Sequence, residues 1–364
     1  MNYPYNLPQA IRGKKKLEFL KKYKYINKEF FKNYRRVKKN VWKGRIDGED
    51  LDSLRWHQTI KAIDLEDNSV ELKFENAVCF IGFSSDEGVE RNKGNVGAAE
   101  GPNAIRREMC NFPKTREDVS LYDAGNIFCI DEDLEGAQKA LSTAVSKIIA
   151  LGMFPIVLGG GHEVAFGTYN GLLDVVSRYQ KKPKIGIINF DAHFDMRPYE
   201  DQTSSGTMFL QIANQCKERE LDFSYFVLGI QKYGNTRSLF KTADKFGVKY
   251  ILARDITDYK ELEVKNKLNM FIEENDHIYV SVCTDVFSSA YAPGVSAPQP
   301  FGIHPKSGRE LIRHIAGTGK TVTFDIAEVS PRYDSGNITS KLAAILIFEI
   351  IDNLGRFSLK TEEK

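Results

Sequence analysis

Residues 189–197 read Asn-Phe-Asp-Ala-His-Phe-Asp-Met-Arg, which sets Asp191, His193 and Asp195 at every second position directly after an apolar run. In an extended chain, side chains at i, i+2 and i+4 share one face. Two carboxylates and an imidazole pointing the same way could hold a metal ion; the bland alternative is a capped strand end with solvated acids. Similar residues close three more apolar runs, in Gly159-Gly-Gly-His162-Glu163, Cys283-Thr284-Asp285 and Asp325-Ile-Ala-Glu328. Mixed oxygen and nitrogen donors suit borderline or hard divalent ions, Mn²⁺ among them. Carboxylates can also bridge two ions, and such a pair lowers the pKa of a shared water. Glu328 has a different chemistry open to it, a bidentate grip on a planar amidine or guanidine cation. Asp325 is expected to orient a ligand from behind.

The elements that must position these groups are legible in the same runs. The pattern predicts strands over Ala77–Phe83, Phe154–Leu158, Lys184–Phe190, Phe223–Ile230, Tyr250–Leu252, His277–Cys283 and Thr321–Ile326. Several are almost continuously apolar, as strands buried on both faces are. Amphipathic helices are predicted between them, over Glu135–Leu151, Thr168–Arg178 and Leu262–Glu274. This alternation predicts an α/β fold with a parallel sheet covered by helices on both sides. Ligands of such sheets bind beyond the carboxyl ends of the strands, where the four motifs fall. The triple glycine at 159–161 is expected to let the chain turn sharply and bring His162 in.

The 364 residues are 42% hydrophobic and 27% charged, with a net charge of +2. That balance is ordinary for a globular protein and gives no general pull toward nucleic acid or membrane. No apolar run is long enough for a membrane span, and the N-terminus lacks the pattern of a signal peptide. The five cysteines are scattered with no Cys-x-x-Cys pair, which points to a reducing cytoplasm. Residues 12–43 are basic with interleaved aromatics, but Leu17, Leu20, Tyr23, Ile26 and Phe30 recur at helical steps. An amphipathic helix with a solvated basic face explains that spacing better than a nucleic-acid surface. The expected organisation is a basic helical extension over 1–76 and one domain over 77–364.

Taken together, Gly-Gly-Gly-His162-Glu, Asp191-Ala-His193-Phe-Asp195, the Asp285 segment with its Ala-Pro-Gly-Val-Ser-Ala-Pro tail at 292–298, and Asp325-Ile-Ala-Glu328-Val-Ser-Pro resemble the signature blocks of the arginase or ureohydrolase family. Gly97-Ala-Ala-Glu-Gly-Pro-Asn-Ala-Ile-Arg106 is similar to its N-terminal block. The resemblance implies a three-layer α/β/α fold around a mainly parallel sheet of about eight strands. It implies two Mn²⁺ ions per subunit, one held by His162, Asp191 and Asp195 and the other by Asp191, His193 and Asp285, with Asp191 bridging. It also implies a substrate amidinium held by Glu328, and assembly as a trimer or hexamer.

Within the family, Ser84-Ser-Asp-Glu-Gly-Val-Glu-Arg91-Asn-Lys-Gly, Ser204-Ser-Gly-Thr-Met-Phe-Leu-Gln-Ile212 and Arg197 resemble the formimidoylglutamase branch. The expected reaction is hydrolysis of N-formimino-L-glutamate to L-glutamate and formamide, a step of histidine degradation. Asp195 is a candidate to move a proton to the departing amine. Arg197, Ser205 and Arg91 are the candidate substrate contacts, since two carboxylates call for cations in the pocket. An arginase- or agmatinase-type hydrolase, releasing urea, is the alternative. One position departs from the pattern: Cys283 stands where the family carries a second bridging aspartate. As a thiolate it could ligate and favour a softer ion, it could leave one metal position weak, or it could mark a protein that binds without turnover.

Overall fold

The computed structural model describes residues 28–38, 40–67, 74 and 76–354. Ten strands lie in one sheet: β1 (Tyr34–Arg35), β2 (Lys61–Ala62), β3 (Ala77–Ser84), β4 (Ser120–Phe128), β5 (Met153–Leu158), β6 (Ile185–Phe190), β7 (Ser224–Ile230), β8 (Lys249–Leu252), β9 (His277–Cys283) and β10 (Thr321–Ala327). Eight of them run parallel in the order β4-β3-β5-β10-β9-β6-β7-β8. Every residue of β5, β6 and β9 is buried, which is why these strands read as unbroken apolar runs rather than alternating ones.

Two cores result, one on each face of the sheet. Helices Leu134–Ala150, Val164–Val176 and Met208–Glu218 close the first, through Leu141, Leu172 and Ile212 among others. Helices Gly101–Met109, Glu261–Glu273, Pro305–Ala316 and Ile338–Asn353 close the second, through Ile105, Leu268, Ile312 and Ile347. The fold is three-layer α/β/α, as the strand–helix alternation predicts.

The alternation misses β4, and the reason is visible in its sequence, SLYDAGNIF. Asp123, Gly125 and Asn126 break the apolar run. Asp123 is buried because Arg106, itself fully buried, pairs with it through Nε and Nη2 at 2.8 and 2.9 Å. The Arg106 Nη1 donates to Asn126 Oδ1 at 2.6 Å. A bidentate partner makes a carboxylate tolerable inside a sheet layer, and no local pattern announces it.

Part of the N-terminal region, expected as a basic helical extension, is described. Residues 12–27 of the predicted amphipathic helix lie outside the described residues. The described part has a short helix, Lys28–Asn33, followed by β1, which pairs antiparallel with β4, and β2, which pairs parallel with it. Trp42 donates its indole N–H to Asp123 at 2.7 Å, and Trp56 is buried edge-on to Phe112 with ring centroids 5.3 Å apart. This region therefore covers the sheet edge that β4 would otherwise leave open.

Candidate active site

Four motif-bearing strands, β5, β10, β9 and β6, are consecutive neighbours at the centre of the sheet. Their carboxyl ends are level, with Ile326 opposite Leu158, Ala327 opposite Cys283 and Phe190 opposite Val282. Residues far apart in sequence thus emerge side by side onto the floor of one cavity of about 290 Å³.

Asp191 is fully buried beneath that floor, between the two histidines. His162 Nδ1 lies 3.0 Å from Asp191 Oδ2 and 3.0 Å from Asp195 Oδ2. His193 Nδ1 lies 3.5 Å from Asp191 Oδ1 and 3.1 Å from Asp285 Oδ2. Two sets of donor atoms, His162–Asp191–Cys283 and Asp191–His193–Asp285, each fall within 4.8 Å of one another and share Asp191. The orientation of His162 is built in. Its Nε2 contacts Ser281 Oγ at 2.9 Å, and Ser281 donates to Asp325 Oδ1 at 2.6 Å. Because Ser281 spends its proton on Asp325, His162 Nε2 is the donor in that contact, so Nδ1, which faces the carboxylates, is the nitrogen that gives up its proton when a cation binds. Asp325 thus acts from behind through Ser281, which the sequence reading did not single out.

The glycines at 159–161 serve this geometry by crowding rather than by unusual torsions. A side chain on Gly160 would meet Ser85 O at 1.8 Å, and one on Gly159 would meet Ile326 O at 2.8 Å. The gap lets the ends of β5 and β10 bond directly, Gly159 N–H to Ile326 O at 2.7 Å and Glu328 N–H to Gly160 O at 2.8 Å. Glu328 (φ +67°) and Asp195 (φ +48°) hold left-handed backbone conformations, which are strained for residues with a side chain and concentrate at functional sites.

Electrostatics show what the floor lacks. Burial and the charges of Glu163 and Asp285 push Glu328 up to about 8. Burial and Asp191 push Asp195 up to about 6. Burial would raise Asp191 too, but hydrogen bonds from His162 and His193 hold it well below the usual carboxylate range. Both histidines are raised, since these carboxylates outweigh a burial that opposes their charge. Asp285 Oδ1 and Glu328 Oε2 are buried with no hydrogen-bond partner. Four carboxylates converging on two imidazoles leave negative charge uncompensated, the condition that divalent cations relieve. Burial also drives the Cys283 thiol well above its ordinary value, helped by Asp285, Asp191 and Glu328; a bound cation reverses that balance.

Glu328 is placed for a separate task. Its Oε1 accepts the His162 backbone N–H at 2.9 Å, and its orphan Oε2 belongs to a residue lining the cavity. Arg197 and Ser205 also line the cavity, Ser205 held by its N–H to Gly88 O at 3.0 Å. Arg91 does not line it. Its guanidinium is taken up by Glu87 Oε1 at 2.8 Å, Glu135 Oε1 at 2.9 Å and Glu132 O at 2.7 Å. The i, i+4 spacing of Glu87 and Arg91 was the sequence signal for that pairing.

The sequence profile of the arginase family matches residues 76–352. The chain belongs to the arginase family. Among its relatives, the formimidoylglutamase of Clostridium tetani is 50% identical over 328 residues, spanning 89% of this chain and 97% of the relative. The formimidoylglutamase structure from Bacillus subtilis superposes with a TM-score of 0.71 at 22% identity, covering 84% of this chain and 94% of the other. The formiminoglutamase of Trypanosoma cruzi, solved with Mn²⁺, superposes with a TM-score of 0.66 at 22% identity, covering 78% and 94%. Both likenesses bear on the fold. Cys283, set apart by the sequence, lies with His162 and Asp191 at the site rather than turned into a core. Asn92, Lys93, Asn235 and Ser296 line the cavity without having been anticipated. Asn92, Lys93 and Ser296 fall inside sequence blocks already recognised as family-like, but on loops whose spacing does not mark individual contacts; Asn235 lies in no such block.

Proposed function

We propose that this chain hydrolyses the amidine C–N bond of N-formimino-L-glutamate, giving L-glutamate and formamide at a pair of divalent ions, manganese foremost. His162, Asp191, Asp195 and Cys283 would hold one ion, and Asp191, His193 and Asp285 the other. When bound, such a pair acidifies water and offsets the negative charge that grows during attack on the amidine. The chain's own residues do the rest. Glu328, anchored through Oε1, presents Oε2 to the amidinium N–H groups. The Ser281–Asp325 pair keeps His162 in the ligating tautomer. Asp195, beside His162 and lining the cavity, passes a proton to the departing amine of glutamate.

The observation that carries this reading is the polarity of the cavity, acidic at its floor and cationic at its mouth through Arg197. That layout matches a substrate with an amidinium head and carboxylates at the other end, and it opposes the ammonium tail of arginine or agmatine. Relatives named formimidoylglutamase, including the one 50% identical, support the same substrate. The Mn²⁺ of the Trypanosoma cruzi structure supports the metal.

The test is a substrate panel with Mn²⁺, Zn²⁺, Ni²⁺ and Fe²⁺ supplied separately. Formamide and glutamate released from formiminoglutamate are expected. Urea from arginine or agmatine would overturn the substrate. A wild type silent with every metal, set against an active Cys283→Asp variant, would overturn turnover itself and assign a binding role.

A further inference from the structure

The cavity mouth carries a second cation. Lys93 lines the cavity with Arg197, and neither side chain has a hydrogen-bond or ion-pair partner among the described residues. Acids are not scarce nearby: Arg91, two residues earlier, is bonded to both Glu87 and Glu135. An exposed lysine is usually just solvated, so its position needs to be shown as built.

The loop that carries it is fixed on both sides. Lys93 stands at φ +60° just past Asn92, the C-cap of helix Glu87–Arg91, with its N–H on Glu90 O at 2.8 Å. Gly94 N–H bonds Val89 O at 2.8 Å. Asn95 then bonds the loop across the cavity twice, N–H to Ser296 Oγ at 2.8 Å and Nδ2 to Ser296 O at 3.0 Å. Gly94 is required there, because a side chain on it would come within 2.6 Å of Ser296 Oγ.

Arg197 arrives from the loop after β6, its N–H on Gly206 O at 2.9 Å. A side chain on Gly206 would lie 2.9 Å from Arg197 Cδ, 3.1 Å from its Nε and 3.1 Å from Asn92 Oδ1. Arg197 and the residue preceding Lys93 therefore converge on one point of the rim. One unpaired cation suffices for one carboxylate. Two on adjoining loops, over an acidic floor, describe a ligand with a cationic head and two anionic groups.

We propose that Lys93 is a specificity-determining residue that, with Arg197, reads the two carboxylates of the substrate, Lys93 binding one of them. This rests on the proposed hydrolysis of formiminoglutamate and names what selects that substrate over singly charged amidines. Cations held apart from acids and aimed at solvent raise both affinity and encounter rate for an anion, and salt weakens the effect.

The experiment uses the full chain loaded with Mn²⁺. It compares wild type, Lys93→Met and Lys93→Arg on formiminoglutamate and on its two monoamides, each lacking one carboxylate. The wild type should prefer the diacid over both monoamides. Lys93→Met should raise KM for the diacid about tenfold, the scale of one charge-assisted contact, and kcat should move far less. Its preference for the diacid should collapse against one monoamide and persist against the other, with Lys93→Arg close to wild type. The KM of the wild type should rise with NaCl more steeply than that of Lys93→Met. An unchanged KM in Lys93→Met, or an equal penalty on all three substrates, would overturn the proposal and leave Lys93 a solvated surface group. A wild type inactive on all three would instead overturn the functional reading on which it rests.

Discussion

The floor and the rim of the cavity are built on opposite principles. Floor residues sit at the ends of central strands or in the turns that follow, buried and cross-bonded, as His162 is to Ser281 and Glu328 to the His162 backbone. Rim residues such as Lys93 and Arg197 sit on loops, exposed and without a side-chain partner among the described residues. Chemistry that depends on donor atoms held a few ångströms apart needs the rigid frame. Selection of a charged substrate needs only fields and reach. The difference predicts that floor changes act on metal content or kcat, and rim changes on KM.

The sharpest way to break this comparison is Asp191→Asn. Both donor sets share that carboxylate, so metal content should collapse and kcat/KM should fall by roughly 10³-fold, the upper range for losing one preorganised charge. Elemental analysis beside kinetics checks it; retained metal with altered KM alone would erase the distinction. Glu328→Gln should lower kcat/KM by about 10²-fold with metal content unchanged, because Glu328 belongs to neither donor set. Ser281→Ala should weaken metal affinity by roughly 10-fold, the lower range for a partner that orients a ligating histidine. Titration with metal followed by calorimetry would show it, and added metal should restore turnover.

A stability measurement tests a residue behind the floor that belongs to neither donor set and does not line the cavity. Glu163 is fully buried, accepts the Gly88 N–H at 3.1 Å, and burial pushes its pKa up to about 7 from 4.5. Between those values the folded chain binds more protons than the unfolded one. Its contribution is therefore complete below pH 4.5, is lost as pH rises through about 7, and stays lost above that. In metal-free protein at pH 8, Glu163→Gln should recover about 3 kcal/mol at most. Denaturant melts at pH 5 and pH 8 should show the gain only at the higher pH.

How much could be read in advance follows the same division. Seven of the eight parallel strands and the four ligand motifs were legible, because a strand buried on both faces must be apolar until it meets the site. Asp191, His193 and Asp195 announce themselves by spacing alone. β4 escaped because Asp123 belongs to a pair whose other half, Arg106, lies in a helix 17 residues away. Arg91 misled because a charge next to a motif looks available until Glu135, 44 residues on, is seen to hold it.

By itself the sequence determined which residue types close each strand, and with them the class of chemistry. Only the tertiary structure decided that β5, β10, β9 and β6 are neighbours in that order, which puts His162, Cys283, Asp285 and Glu328 on one floor with Asp191 buried beneath it. It alone decided which cations at the rim have no partner among the described residues. Strand patterning is local and is written in apolar runs that stop where a polar residue meets the site. Strand order and charge pairing depend on contacts between residues distant in the chain, and those exist only once the sheet has formed.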